Sequence, residues 1–201
     1  SMKRIKLSTA VHTTSMQMID IVQNRKWKAA KRVILHDYKM AQYRKGATAM
    51  ILNEKERAAI MDLQTQEKSC VEKYGKYAQQ AKDPELKSLF ETLQGKEQKH
   101  YDSLGQVLSG TVPQCDCNDT DGKNYMPRAS YDAMNWSEEK QNDAFLATDC
   151  IATEKLVSGE YNTDVFVFGD SGVRKLLADI QVEEQNHAEM LYKYKMANGM
   201  S

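Results

Sequence analysis

The chain has 201 residues, 41% hydrophobic and 28% charged, with only three prolines; this suits one domain of roughly 150 residues plus an extension, with a core that needs no staples. No apolar run approaches the ~18 residues of a membrane helix, so no membrane span is expected, and four scattered cysteines (Cys70, Cys115, Cys117, Cys150) do not make a disulfide framework. The formal net charge is zero but divided: residues 1–50 hold 11 Lys/Arg against 2 Asp, and residues 51–201 hold 17 Lys/Arg against 26 Asp/Glu.

Ser1 precedes Met2 and is set aside as an added residue. Met2 to Val11 lacks the apolar centre of a signal peptide, which points to a protein made and folded inside a cell. Residues 2–14 are polar. From Ser15 to about Arg44, apolar positions at Ile19, Val22, Ala30, Val33 and Ala41 predict one or two amphipathic helices, ended by Gly46. Residues 1–50 therefore read as a basic helical arm, partly flexible, that packs on the acidic body or on a partner. The arm lacks the interleaved aromatics of a single-strand binder, so no nucleic-acid partner is expected. His12 and His36 within it read as surface residues.

Residues 51–201 read as a bundle of helices. Asn53 with Glu56 forms a capping-box signature, starting a helix whose inward stripe is Ile60, Leu63, Glu67, Cys70, Tyr74, Tyr77 or Ala78, and Ala81. Asp83-Pro84 supplies an N-cap and a first-turn proline for the next helix, with the stripe Leu86, Phe90, Leu93, Glu97, His100, Leu104, Val107. Residues 110–136 carry turn formers and read as a long lengthwise crossover. Its Cys115-Asp-Cys117 and Asp119-x-Asp121-Gly122 offer cation ligands, but their spacing matches neither a zinc site nor a full EF-hand loop, and a solvated loop is the favoured reading. Ser137, with Glu138 and Glu139, caps a third helix with the stripe Ala147, Ile151, Glu154, Ser158, Tyr161, Val165, Phe168, stopped by Gly169. Asp170 or Ser171 opens a fourth, with the stripe Val173, Leu177, Ile180, Glu184, His187, Leu191, Tyr194, ended at Asn198-Gly199. The hairpins span 53–109 and 137–198.

The two hairpins are copies. Glu67, Glu97 and His100 recur as Glu154, Glu184 and His187 at a constant offset of 87 residues, and Lys68/Lys155, Tyr74/Tyr161, Leu89/Leu176, Gln94/Gln181, Gln98/Gln185 and Leu104/Leu191 agree as well. Each Glu lies about fifteen residues from its hairpin turn. At ~1.5 Å rise per residue that is about 22 Å, so the paired carboxylates sit at one height. A Glu-x-x-His pair shares one helix face. Four carboxylates and two imidazoles from four helices are the ligand set of a carboxylate-bridged two-metal centre, suited to two iron or manganese ions. Glu97 and Glu184 are expected to bridge, Glu67 and Glu154 to bind terminally, and His100 and His187 to complete the two ends. Without metal, four buried carboxylates are costly, so some should take up protons or open the bundle. Tyr74 and Tyr161 share the seam, as hydrogen-bond donors to a ligand carboxylate, as electron relays or as ordinary core residues. Cys70 and Cys150 break the repeat and read as packing residues.

These residues resemble the ferritin-like superfamily, whose two-metal members use this arrangement. The wording of Leu63–Tyr74, Ala81–Phe90, Glu97-Gln-Lys-His100, Asp149–Lys155 and Ile180–His187 looks like the spore-coat F family of endospore-forming bacteria, especially its clostridial type. The resemblance covers about 60–200. It implies an all-α ferritin-like four-helix bundle made in the mother-cell cytoplasm and placed in the spore coat among other coat proteins. A homo-oligomer is also expected. The basic arm lies outside that pattern. Two functions follow: a structural coat component, or a two-metal oxidoreductase acting on peroxide or oxygen. No pair of Cys-x-x-Cys motifs accompanies the site, so a rubrerythrin-like peroxidase would need a separate electron donor.

Overall fold

The computed structural model describes residues 50–114 and 120–200. The arm, with His12 and His36, lies outside the described residues, as do Cys115, Cys117 and Asp119. The described residues are all-helical, without strands: α1 (Glu54–Gln80), α2 (Pro84–Leu108), α3 (Asp121–Asn124), α4 (Glu138–Asp164), a 3₁₀ turn (Val165–Val167) and α5 (Ser171–Ala197). Among them no helix is long and apolar enough to cross a membrane.

Local chemistry sets the helix boundaries. Asn53 Oδ1 accepts from Glu56 N–H at 3.0 Å while Glu56 Oε2 accepts from Asn53 N–H at 2.9 Å, a reciprocal cap that satisfies two otherwise orphaned donors. Asp83 caps α2, with Pro84 in its first turn, and Ser137 caps α4. Of the two candidates for the α5 cap, Asp170 takes the place: its Oδ1 accepts from Gly172 N–H and Val173 N–H at 2.8 and 3.0 Å. Asp83 and Asp170 are themselves 87 residues apart, so the duplication extends to the turns.

α1 packs along α2 and α4 along α5, and the two hairpins close on one interior. The interior has two apolar ends. One gathers Tyr74, Leu86, Phe90, Leu93, Ala147, Cys150, Leu191 and Tyr194; the other gathers Ile60, Leu63, Cys70, Leu104, Val157, Tyr161, Val173 and Leu177. The hairpins run in opposite senses. Asp143 of α4 accepts from Lys82 N–H at 3.0 Å and Asp83 N–H at 2.8 Å, fixing the first turn to the second hairpin. At the far end Glu56 Oε1 accepts from Gly169 N–H at 3.0 Å, fixing the second turn to the first hairpin.

The stripes of α1, α2 and α5 are buried as the periodicity predicts, except that Ala78 rather than Tyr77 is buried and Ala81 is half-buried. On α4 the buried face is rotated: Cys150 and Val157 are buried where Ile151 and Ser158 were expected, and those two are half-buried. The flanking positions of α4 are nearly as apolar as its seam, so the stripe alone does not single out one face. The α-helix also stops at Asp164, and the chain tightens into the 3₁₀ turn before Gly169, leaving Val165 half-buried and Phe168 buried. Cys150 stands at the place of Leu63 in the other hairpin, and Val157 at the place of Cys70. Each cysteine thus fills a slot that the other copy fills with an aliphatic side chain, and burial pushes both thiols up.

The described part of the crossover is anchored to the helices. It contains the one-turn α3, and Gly122 N–H donates to Asn186 Oδ1 at 3.0 Å. A Cβ on Gly122 would meet Glu189 Oε2 at 2.5 Å and Asn186 Oδ1 at 2.9 Å, so a larger residue would have to push these α5 side chains aside. Further along, Asn198 Oδ1 accepts from Ser130 N–H and Tyr131 N–H at 2.8 and 2.9 Å. The buried Lys140 ammonium donates to the carbonyls of Asp132 and Ala133 at 2.8 and 3.1 Å and sits 4.7 Å from the Trp136 ring centre. Gly199 ends the chain's last turn at φ +59°, with Ala133 Cβ 2.9 Å from where its own Cβ would stand.

Candidate metal centre

Glu67 of α1, Glu97 and His100 of α2, Glu154 of α4, and Glu184 and His187 of α5 are all buried, in a polar layer between the two apolar ends. They form two overlapping groups. Glu67, Glu97, His100 and Glu184 each offer a ligand atom within 4.8 Å of the others, and so do Glu97, Glu154, Glu184 and His187. Glu97 and Glu184 belong to both groups, the places expected of bridging carboxylates.

The histidines face inward through Nδ1. His100 Nδ1 lies 3.0 Å from Glu184, 3.4 Å from Glu97 and 3.7 Å from Glu67. His187 Nδ1 lies 2.8 Å from Glu97, 3.5 Å from Glu154 and 3.9 Å from Glu184. The rings are nearly parallel, 17° apart with centres separated by 5.7 Å. Each Nδ1 therefore lies closest to the shared glutamate of the opposite hairpin, Glu184 for His100 and Glu97 for His187, as a two-fold exchange of the hairpins requires.

The tyrosines obey the same exchange. Tyr74 O–H donates to Glu154 Oε1, and Tyr161 O–H donates to Glu67 Oε1. Both tyrosines are buried core residues, and each also hydrogen-bonds a site carboxylate. Burial, then the Glu154 and Glu67 charges respectively, raises both phenols well above their usual value, so they remain donors.

Burial raises Glu67 to about 8 and Glu184 well above the carboxylate range, in both cases with Glu97 adding repulsion. Burial opposes ionisation of Glu97 too, but the His187 and His100 imidazoliums beside it hold it below the usual value. Burial pulls the imidazoles down, yet the carboxylates win: Glu183, Glu184, Glu67 and Glu97 raise His100 well above 6.5, and Glu97 and Glu154 raise His187 to about 9. Protons thus stand in for positive charge, as the cost of four buried carboxylates demands.

The donor set fits a pair of divalent cations. Glu67 Oε2, both oxygens of Glu97, Glu154 Oε2, both oxygens of Glu184, and Nδ1 of His100 and His187 are buried without a partner in hydrogen-bonding geometry. Native interiors rarely leave so many polar atoms unpaired at one spot. Oxygen and imidazole donors without thiolate suit iron or manganese. Such ions, when bound, supply Lewis acidity and redox capacity. The protein's own part is to fix six donors on four helices, exclude water with an apolar shell on both sides, and hold the outer oxygens of Glu67 and Glu154 with phenolic donors.

Two features of the site escaped the sequence reading. The tyrosine bonds cross between hairpins, and Glu183, next to Glu184, is bonded by His100 Nε2. In the crossover, Asp121 pairs with Lys96 of α2.

The fold and site define an all-helical protein with a buried, duplicated glutamate–histidine constellation. The Coat F domain family model matches residues 142–201, which take in most of α4, all of α5, and Glu154, Glu184 and His187. The match covers most of the second hairpin, a shorter span than the 60–200 over which resemblance was expected. No curated protein and no solved structure matches the chain.

Proposed function

We propose that this chain is a spore-coat component whose helices form a ferritin-like four-helix bundle holding a two-metal carboxylate centre. The Coat F match over the second hairpin supports the coat assignment. The observation that carries the metal assignment is the pair of overlapping buried groups that share Glu97 and Glu184. Glu67, Glu97, His100, Glu154, Glu184 and His187 hold two iron or manganese ions, with Glu97 and Glu184 between them. Other coat proteins, and further copies of this chain, are its partners, and the basic arm (residues 1–50) supplies charge complementary to acidic neighbours.

The deciding experiment is elemental analysis of protein purified without a metal-affinity tag, for the wild type and for Glu97→Ala combined with His187→Ala. About two iron or manganese ions per chain, lost in the double variant, is the expected result. Absence of metal from a stably folded wild type would overturn the metal assignment and leave a coat building block.

A second reading makes the centre a peroxide- or oxygen-consuming oxidoreductase. The observation favouring it is a phenol hydrogen-bonded to each outer carboxylate, a route for protons and electrons. Metal-loaded protein that consumes neither oxidant would remove it.

A further inference from the structure

The duplication that builds the site is broken at several positions, and one of these pairs meets a site histidine. Glu183 precedes the bridging Glu184, and Lys96 precedes the bridging Glu97, 87 residues earlier. His100 uses its two nitrogens differently: Nδ1 faces Glu67, Glu97 and Glu184, and Nε2 is bonded to Glu183 Oε2 on the outer side of the ring. The Glu183 side chain is about 23% exposed, so it closes the site at its surface and lies away from the interior donors. Exchange of the hairpins, which carries Tyr74–Glu154 onto Tyr161–Glu67, carries Glu183–His100 onto Lys96–His187. A lysine ammonium accepts no hydrogen bond. Lys96 instead pairs with Asp121 of α3, and His187 Nε2 is buried with no hydrogen-bond partner among the described residues.

We infer that Glu183 is a positioning residue that makes the two metal positions unequal, the one at His100 binding a divalent cation more tightly than the one at His187. This rests on the two-metal reading above. A carboxylate accepting from the outer N–H of an imidazole fixes the tautomer and ring orientation and increases the electron density offered by the other nitrogen. His100 has that support and His187 does not. The two halves of the chain carry the same candidate ligands, and the difference between them comes from a non-ligand.

Calorimetric and absorbance titration of metal-free protein with cobalt(II) alone tests this. Two binding steps of different affinity are expected for the wild type. Glu183→Gln should weaken the tighter step by roughly 10–100-fold and leave the weaker one unchanged, bringing the steps together. Lys96→Glu with Asp121→Asn places a carboxylate at the equivalent position behind His187 and should strengthen the weaker step; it also serves if Glu183→Gln does not fold. Two equal steps in the wild type, or two steps unmoved in both variants, would overturn the inference and leave the two-metal reading intact. A folded wild type that takes up no cobalt would overturn both.

Discussion

Tyr74 on α1 donates its hydroxyl hydrogen to Glu154 on α4, and its copy Tyr161 returns the same bond to Glu67. Each hairpin thus completes the carboxylate of the other, and the polar layer forms only when the two are assembled. Tyr161→Phe leaves the Glu67 carboxyl buried with one donor fewer. Urea denaturation of the metal-free variant should show a loss of about 1–3 kcal/mol, the usual cost of an unsatisfied buried group. Tyr74→Phe should lose a similar amount through Glu154. A loss from only one of the two would break the two-fold equivalence.

Metal-free protein should be most stable in mild acid and weaken toward alkaline pH. Glu67 rises from 4.5 to about 8 on folding, so its ionised form is penalised in the native state, with the penalty growing as pH climbs between those values. His187 rises from 6.5 to about 9, so its stabilising charge is fully present below pH 6.5 and is lost as pH passes about 9. In both cases the native state binds more protons than the unfolded one. Glu97 acts oppositely, its contribution being lost only at strongly acidic pH as its lowered native pKa is passed. A melting temperature that rises steadily from pH 6 to pH 9 without metal would contradict this assignment of charge.

On the two-metal reading proposed above, uptake of metal displaces those protons, so apparent affinity should rise with pH over the same interval. Titrating manganese(II) in buffers of different ionisation enthalpy should reveal net proton release at pH 7. Release indistinguishable from zero would mean that the site is already deprotonated without a cation.

Glu184→Gln should separate stability from binding. Burial and the neighbouring Glu97, Glu154 and Glu67 charges hold the Glu184 carboxyl well above its ordinary pKa, so the native state disfavours its charge. Its amide isostere removes that charge and, with it, one carboxylate of the proposed metal centre. At pH 8 the metal-free variant should be as stable as the wild type or more so, by roughly 1 kcal/mol or more, while retaining less metal on elemental analysis.

Asp143→Ala tests the joint between hairpins. The Asp143 carboxylate accepts from Lys82 N–H, Asp83 N–H and, at 2.8 Å, Tyr131 O–H. Its removal strands two backbone donors and a phenol and should cost about 3 kcal/mol in chemical denaturation. A change under ~0.5 kcal/mol would show that water replaces the carboxylate without loss.

Chain periodicity alone establishes much of this protein. Steps of three and four residues place Glu67, Glu97, His100, Glu154, Glu184 and His187 on inward stripes, and equal distances from the turns put them at one height. The caps at Asn53, Asp83 and Ser137 are equally local, because a cap needs only its own first turn. Packing settles the rest. Which face of α4 is buried depends on what stands opposite, so Cys150 and Val157 displaced Ile151 and Ser158. The tyrosine exchange, the Glu183 bond and the anchoring of the crossover by Asn186 and Asn198 join residues far apart in the chain. Repetition along a helix records direction and height, whereas a hydrogen bond between helices depends on their relative rotation and separation, which no single helix contains.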